Sequence, residues 1–175
     1  MERKTALITG ASRGIGRAIA RAFAAAGYDL ILTCLRSEDA LQQLCRNLAA
    51  DCGIRAVPFC GDIGDFETVR SLFSRIRRLD VLVNNAGISH VGLLSDMTPE
   101  EWRRIMATNL DGCFYTCKLA VPLMVHEKRG KILNISSIWG NAGASMETAY
   151  SASKGAVNSL TKALAKELAP SNIQV

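Results

Sequence analysis

Tyr150 and Lys154 stand four residues apart in Tyr150-Ser151-Ala152-Ser153-Lys154. On a helix that spacing puts a phenol and an ammonium on one face. A free tyrosine, with a pKa of about 10, serves poorly as an acid or base at neutral pH, but a neighbouring cation favours its phenolate. Ser137 lies thirteen residues upstream of Tyr150, at the expected end of an apolar strand, so that its hydroxyl can meet the phenol across a ligand cleft. A hydroxyl donor and a proton source that converge on one oxygen suit carbonyl reduction, where negative charge grows on oxygen as hydride reaches carbon. Taken alone, Tyr-x-x-x-Lys is common on ordinary helices, and the pair gains weight only through Ser137.

A second group of residues suits a dinucleotide. Residues 5–9 read as a strand running into Gly10-Ala11-Ser12-Arg13-Gly14-Ile15-Gly16, which opens a helix. Glycines there let the backbone turn tightly and approach a pyrophosphate at the helix N-terminus. The spacing G-x-x-x-G-x-G differs from the usual G-x-G-x-x-G, and a glycine-rich turn that packs helix on strand is the other account. About 20 residues on, where an NAD enzyme of this layout offers a carboxylate to the ribose, stand Leu35, Arg36 and Ser37. Arg36 and Arg13 can pair with a 2′-phosphate through planar contacts, which favours NADP(H) over NAD(H); two surface arginines without a partner are the alternative. Asp62, followed by Ile63, can accept a hydrogen bond from an adenine amine or simply cap a turn. Asn84-Asn85-Ala86-Gly87 places two amides and a glycine where the chain must pass close to such a ligand.

These residues need a frame that brings loops together at one sheet edge. Short apolar runs at residues 5–9, 29–34, 54–60, 81–84 and 131–136 are continuous rather than alternating, as in strands buried on both faces. Between them, amphipathic patterns at about 14–26, 38–50, 65–77 and 99–127, the last read as two helices, and at 150–168 predict helices. Strand and helix in alternation mean a doubly wound parallel sheet in a Rossmann-type, three-layer α/β/α domain. Gly27 closes the first helix, Ser37 precedes the second, and Thr98-Pro99-Glu100-Glu101 is a strong start signal. The stretch 140–144 reads as a flexible loop on the ligand side. Residues 172–175 look like a sixth strand cut off as it begins, so the chain is expected to be one truncated domain spanning 1–175.

Composition narrows the function further. A chain of 175 residues with 49% hydrophobic and 21% charged residues can build one globular core, which excludes disorder and fibrous repeats. The net charge of +5 is scattered over helix ends, without the basic stripe and interleaved aromatics of nucleic-acid binding. Six cysteines lack any C-x-x-C pair and read as reduced thiols; Cys113 and Cys117 share a helix face but cannot complete a metal site by themselves. The residues show neither an export signal nor an apolar run of membrane length, which points to the cytoplasm.

Together, Thr9-Gly10-x-x-x-Gly14-x-Gly16, Asn84-Asn85-Ala86-Gly87, Asn109, Ser137 and Tyr150-x-x-x-Lys154 resemble, in order and spacing, the short-chain dehydrogenase/reductases. The resemblance implies a tetrad. Tyr150 is the general acid for reduction, Lys154 favours its phenolate and holds the ribose, Ser137 binds the substrate carbonyl, and Asn109 supports a water relay to Lys154. It also implies a longer domain, with a substrate lid and a seventh strand absent from these residues, and association as homodimers or homotetramers through helices 99–127 and 150–168. The glycine loop and Arg36 look most like the 3-oxoacyl-acyl-carrier-protein reductases, with acyl carrier protein as the implied partner. Trp139, just beyond Ser137, resembles a related bacterial branch that reduces a 5-aminopentanone group on a lysine of elongation factor P; core packing is its other reading. A dinucleotide-binding protein without catalysis is the third possibility, since fold does not fix function.

Overall fold

The computed structural model describes residues 3–175; Met1 and Glu2, which lead into the first strand pattern, lie outside the described residues. The apolar runs form β1 Thr5–Ile8, β2 Asp29–Cys34, β3 Ala56–Cys60, β4 Val81–Asn84 and β5 Gly130–Asn134, and a short β6 follows at Ile173–Gln174. They lie in one sheet in the order β3-β2-β1-β4-β5-β6, every neighbouring pair parallel. The order reverses between β1 and β4, where Ala6, Leu7 and Ile8 pair with Val81, Leu82 and Val83. The loops after these two strands therefore diverge and leave a crevice at their carboxyl ends.

The continuous apolar runs follow from burial on both faces. On one face Ala6, Ile8, Val81 and Val83 pack under Ala20 and Ala24 of α1 Gly14–Ala25 and Leu41 and Leu44 of α2 Glu38–Cys52. Leu7, Leu82 and Ile132 point the other way, toward Val69 and Leu72 of α3 Phe66–Phe73 and toward Cys117 and Met124 of α5 Gly112–Glu127. Both side-chain sets of a central strand must be apolar, which erases the period-two pattern. The expectation of full burial fails for β3 and β5. β3 is the sheet's edge and is half-buried along most of its length, and β5 meets β6 only at Gly130 and Lys131, so Leu133 is 43% exposed.

The helices place the chemistry. Thr98 caps α4 Pro99–Met106 through a reciprocal pair: its Oγ1 accepts from Glu101 N at 3.1 Å and its N–H donates to Glu101 Oε2 at 2.8 Å. The segment 99–127, expected as two helices, forms α4 and α5, joined without a break by a π-helical turn, Ala107–Asp111. The expected flexible loop at 140–144 is instead largely the single turn α6 Trp139–Ala142, tied to α7 Thr148–Leu168. Gly140 packs so closely that a Cβ there would lie 2.7 Å from the Lys154 carbonyl carbon, and Asn158 Nδ2 donates to Asn141 Oδ1 at 2.9 Å. Gly27, at φ +80°, turns the chain after α1, whereas Ser37 at the start of α2 makes no side-chain cap bond. At the amino-terminal end of the strands, basic residues after two helices find an acidic partner. Arg78 and Arg129 both reach the buried Asp80, at 3.1 and 3.7 Å.

Candidate active site

The loop after β1 is built around two contacts that admit no side chain. Gly10 adopts φ +65°, and a Cβ on it would lie 2.8 Å from Ala86 Cα. A Cβ on Gly16 would strike the Gly10 carbonyl oxygen and lie 2.5 Å from Asn85 Nδ2. Asn85 earns this proximity, since its Nδ2 donates to the carbonyls of Thr9 and Gly10 at 3.0 and 3.1 Å. Thr9 Oγ1 accepts from the N–H groups of Asn85 and Ala86, each at 3.0 Å. The loops after β1 and β4 are thus one unit at the crevice. Gly14, at φ +55°, has open space above it. The first turn of α1 has neither a side-chain cap nor an acidic residue, so its N–H groups are free to face an anion.

A cavity of 950 Å³ runs over this unit, lined among others by Ser12, Arg13, Arg36, Asp62, Ile63 and Gly87. Arg13 and Arg36 are exposed and make no ion pair among the described residues. Asp62 reaches the cavity with its oxygens already engaged: Oδ1 accepts from Gly64 N and Oδ2 from Arg104 Nη1, each at 2.9 Å. Its turn-capping role is therefore the one the structure displays. Thr108, on the π-helical turn, also lines the cavity, and its buried Oγ1 has no hydrogen-bond partner among the described residues. Free helix N–H groups, open space over Gly14, two unpaired guanidinium groups and an orphaned hydroxyl fit a dinucleotide carrying an extra phosphate.

A second cavity, of 420 Å³, continues from the first, sharing Ile15, Asn85, Gly87, Ile88 and Ser89. Ser137, Tyr150 and Lys154 line it together, as their spacing predicted. Ser137 Oγ accepts from Trp139 N at 3.2 Å, which leaves its O–H proton to donate into the cavity. Lys154 Nζ sits 5.7 Å from the centre of the Tyr150 ring and donates to the Ile135 carbonyl at 2.7 Å. Burial lowers the pKa of this ammonium.

Asn109 acts one layer further back. Its Oδ1 accepts from Ile88 N at 2.8 Å, while its Nδ2 donates to Ile88 O at 2.9 Å and to Ser153 Oγ at 3.0 Å. The amide is fully spent on holding the loop after β4, so Gly87 stays against Lys154; a Cβ on Gly87 would lie 3.6 Å from Nζ. Behind the site, Cys113 and Cys117 are buried in the core as small hydrophobes and also touch a polar network. Asn84 Nδ2 donates to both sulfurs at 3.4 Å and to Asn134 Oδ1 at 2.9 Å, and Thr116 Oγ1 donates to Asn84 Oδ1 at 2.7 Å. All six thiols are free, and burial holds Cys45 at a pKa of about 11. No group of metal-binding side chains is found among the described residues. Sequence reasoning missed Thr108, Ser89 and Glu147, all of which line the cavities.

Comparison with known proteins decides the family. A short chain dehydrogenase family profile matches residues 4–175. The chain belongs to the short-chain dehydrogenase family. It is similar to an uncharacterized oxidoreductase, YmfI, of Bacillus subtilis, at 39% identity over 98% of this chain and 72% of that protein. It is also similar to the 3-oxoacyl-[acyl-carrier-protein] reductase FabG of Staphylococcus aureus, at 38% identity over 98% of this chain and 71% of that one. A metagenomic short-chain oxidoreductase solved in complex with NADP superposes with a TM-score of 0.92 at 35% identity, over 97% of this chain and 77% of its own. The chain spans 64% to 77% of the length of such matches. As a member of this family it is an oxidoreductase on a Rossmann-type fold.

Proposed function

We propose that the protein reduces a ketone with NADPH. The observation that carries this reading is that Ser137, Tyr150 and the buried Lys154 line one cavity, continuous with the one that Arg13 and Arg36 line. When bound, NADPH supplies the hydride to the carbonyl carbon. The chain's own residues do the rest. Gly10, Ser12, Gly14, Ile15 and Gly16 receive the pyrophosphate, with Asn85, Ala86 and Gly87 shaping the wall beside it and Asp62 and Ile63 closing the adenine end. Arg13 and Arg36 read the 2′-phosphate.

At the carbonyl, the Ser137 O–H donates to the oxygen and Tyr150 delivers its phenolic proton there as charge develops. Lys154 stabilises the phenolate left behind, which solvent then reprotonates. Asn109 is a positioning residue for this exchange, its amide held by Ile88 and Ser153, and it supports a water relay to Lys154.

For the substrate, the relatives' names favour a 3-oxoacyl group carried by acyl carrier protein, in fatty-acid synthesis. Trp139 in the small cavity favours instead a ketone of the kind attached to a lysine of elongation factor P. A binding protein without turnover would have no use for two unspent hydroxyls beside a buried ammonium. The exposed Trp102, Phe114 and Val125 of α4 and α5 support self-association through helices 99–127 and 150–168. No helix among the described residues is long and apolar enough to cross a membrane, and we place the protein in the cytoplasm.

The test is loss of NADPH absorbance with a short 3-oxoacyl thioester, using Tyr150→Phe as the control. Turnover that falls by about a thousandfold in the variant, with NADPH binding retained, supports the reading. NADPH binding without turnover of any ketone would favour a binding role.

A further inference from the structure

Glu147 has no part in the reaction just described, yet it lines the same cavity as Ser137 and Tyr150. It precedes Tyr150 by three residues, at the N-cap position of α7. Ser89 Oγ donates to Glu147 Oε2 at 2.8 Å, and Gly92 N donates to Met146 O at 2.8 Å. These two bonds staple the loop after β4 to the start of α7 and fix where the carboxylate stands. Glu147 Oε1 has no partner among the described residues.

The cavity holds no counter-charge to spare. Lys154 is its only cationic lining residue; it is buried and already donates to Ile135 O. His90, next to Ser89, lies 3.6 Å from Glu101 and does not line the cavity. A neutral ketone leaves the Glu147 carboxylate with no partner but the Ser89 hydroxyl and no counter-charge, and a keto acid is repelled by it. A ketone with an ammonium group supplies the missing partner, and the indole of Trp139, in the same cavity, is a surface on which such a cation packs.

We propose that Glu147 is the specificity-determining residue of this site and selects ketones that carry a cationic nitrogen a few bonds from the carbonyl. The proposal rests on the ketone-reductase reading and names its substrate class. Within that reading it favours a lysine-borne amino ketone over a plain acyl thioester.

A trimethylammonium ketone and its tert-butyl isostere differ by one charge and nothing else of consequence, and neither cyclises. With NADPH, the intact chain should show a kcat/KM ratio favouring the cation by about tenfold. The difference should lie mainly in KM, because the charge contact is present in the ground state too. Glu147→Gln should bring the ratio close to one, and Glu147→Lys should invert it in favour of a keto acid of the same length. Ser89→Ala, which keeps the charge but frees it, should lower the ratio by a smaller factor and guards against a folding defect in the charge variants. If the isostere is turned over and the ratio is the same in wild type and Glu147→Gln, the inference is wrong and the reductase reading stands. If NADPH binds and neither ketone is turned over, both are wrong.

Discussion

The ammonium nitrogen of Lys154 lies 2.7 Å from the carbonyl oxygen of Ile135, in a side chain only 4% exposed. One carbonyl does not replace the water this charge has lost, and burial accordingly depresses its pKa below 10.5. The folded protein therefore holds this proton less tightly than the unfolded chain. Below the depressed value the full cost of burying the charge is present. As pH rises from there toward 10.5 the cost is relieved, so stability contributed by this group increases. We predict that urea midpoints of the wild type gain on those of Lys154→Met over this window. A gap between the two proteins that does not change with pH would mean that the ammonium is not desolvated.

Gly16 and Gly14 belong to the same loop but are glycine for different reasons. A Cβ on Gly16 meets the Gly10 carbonyl and the Asn85 amide, both held by other bonds, whereas Gly14 has only its φ of +55° to lose. Gly16→Ala should cost about 3 kcal/mol through overpacking and weaken dinucleotide binding severely. Gly14→Ala should cost about 1 kcal/mol of backbone strain. Thermal melts of the two variants side by side check this; equal losses would show that the loop is not packed as described.

The difference between those two glycines was not visible in the sequence, although the loop was. Signals carried by a few neighbouring residues were legible at several places. Residues 81–84 are apolar without alternation because Leu82 and its neighbours face opposite helix layers, and Thr98-Pro99-Glu100-Glu101 caps a helix through bonds spanning only three residues. Tyr150 and Lys154 needed only helical spacing to share a face. Features built by distant partners left no such trace. Ser89 meets Glu147 across 58 positions, and Arg104 reaches Asp62 across 42. Beyond Trp139, the turn α6 is made of Gly, Asn and Ala, which signal a loop, and it is helical with Gly140 and Asn141 held against α7.

Thr108 Oγ1 is buried at the cavity wall with no partner among the described residues. Such a hydroxyl costs about 1–3 kcal/mol when left unsatisfied. Thr108→Val keeps the shape and removes the cost, so the free protein should melt at higher temperature. If the hydroxyl is there for a ligand, the same variant should bind NADPH about threefold to tenfold more weakly. The two changes have opposite signs, and calorimetric titration next to a thermal melt measures both. A variant that is more stable and binds NADPH unchanged would make Thr108 a purely structural defect.

Arg36 stands where an NAD enzyme of this layout would place a carboxylate, and it shares the larger cavity with Arg13. Neither guanidinium has an ion-pair partner among the described residues, so each is free for a phosphate. A charge-assisted contact to the 2′-phosphate contributes about 1.5–3 kcal/mol. Arg36→Ala should therefore raise the Kd for NADPH about tenfold or more and leave that for NADH nearly unchanged. NADPH affinity of the wild type should fall with added salt more steeply than that of the variant, because one exposed charge pair fewer remains to be screened. Fluorescence titrations with both cofactors at two salt concentrations give all these values. Equal weakening of NADPH and NADH would show that Arg36 supports the loop and does not read the phosphate.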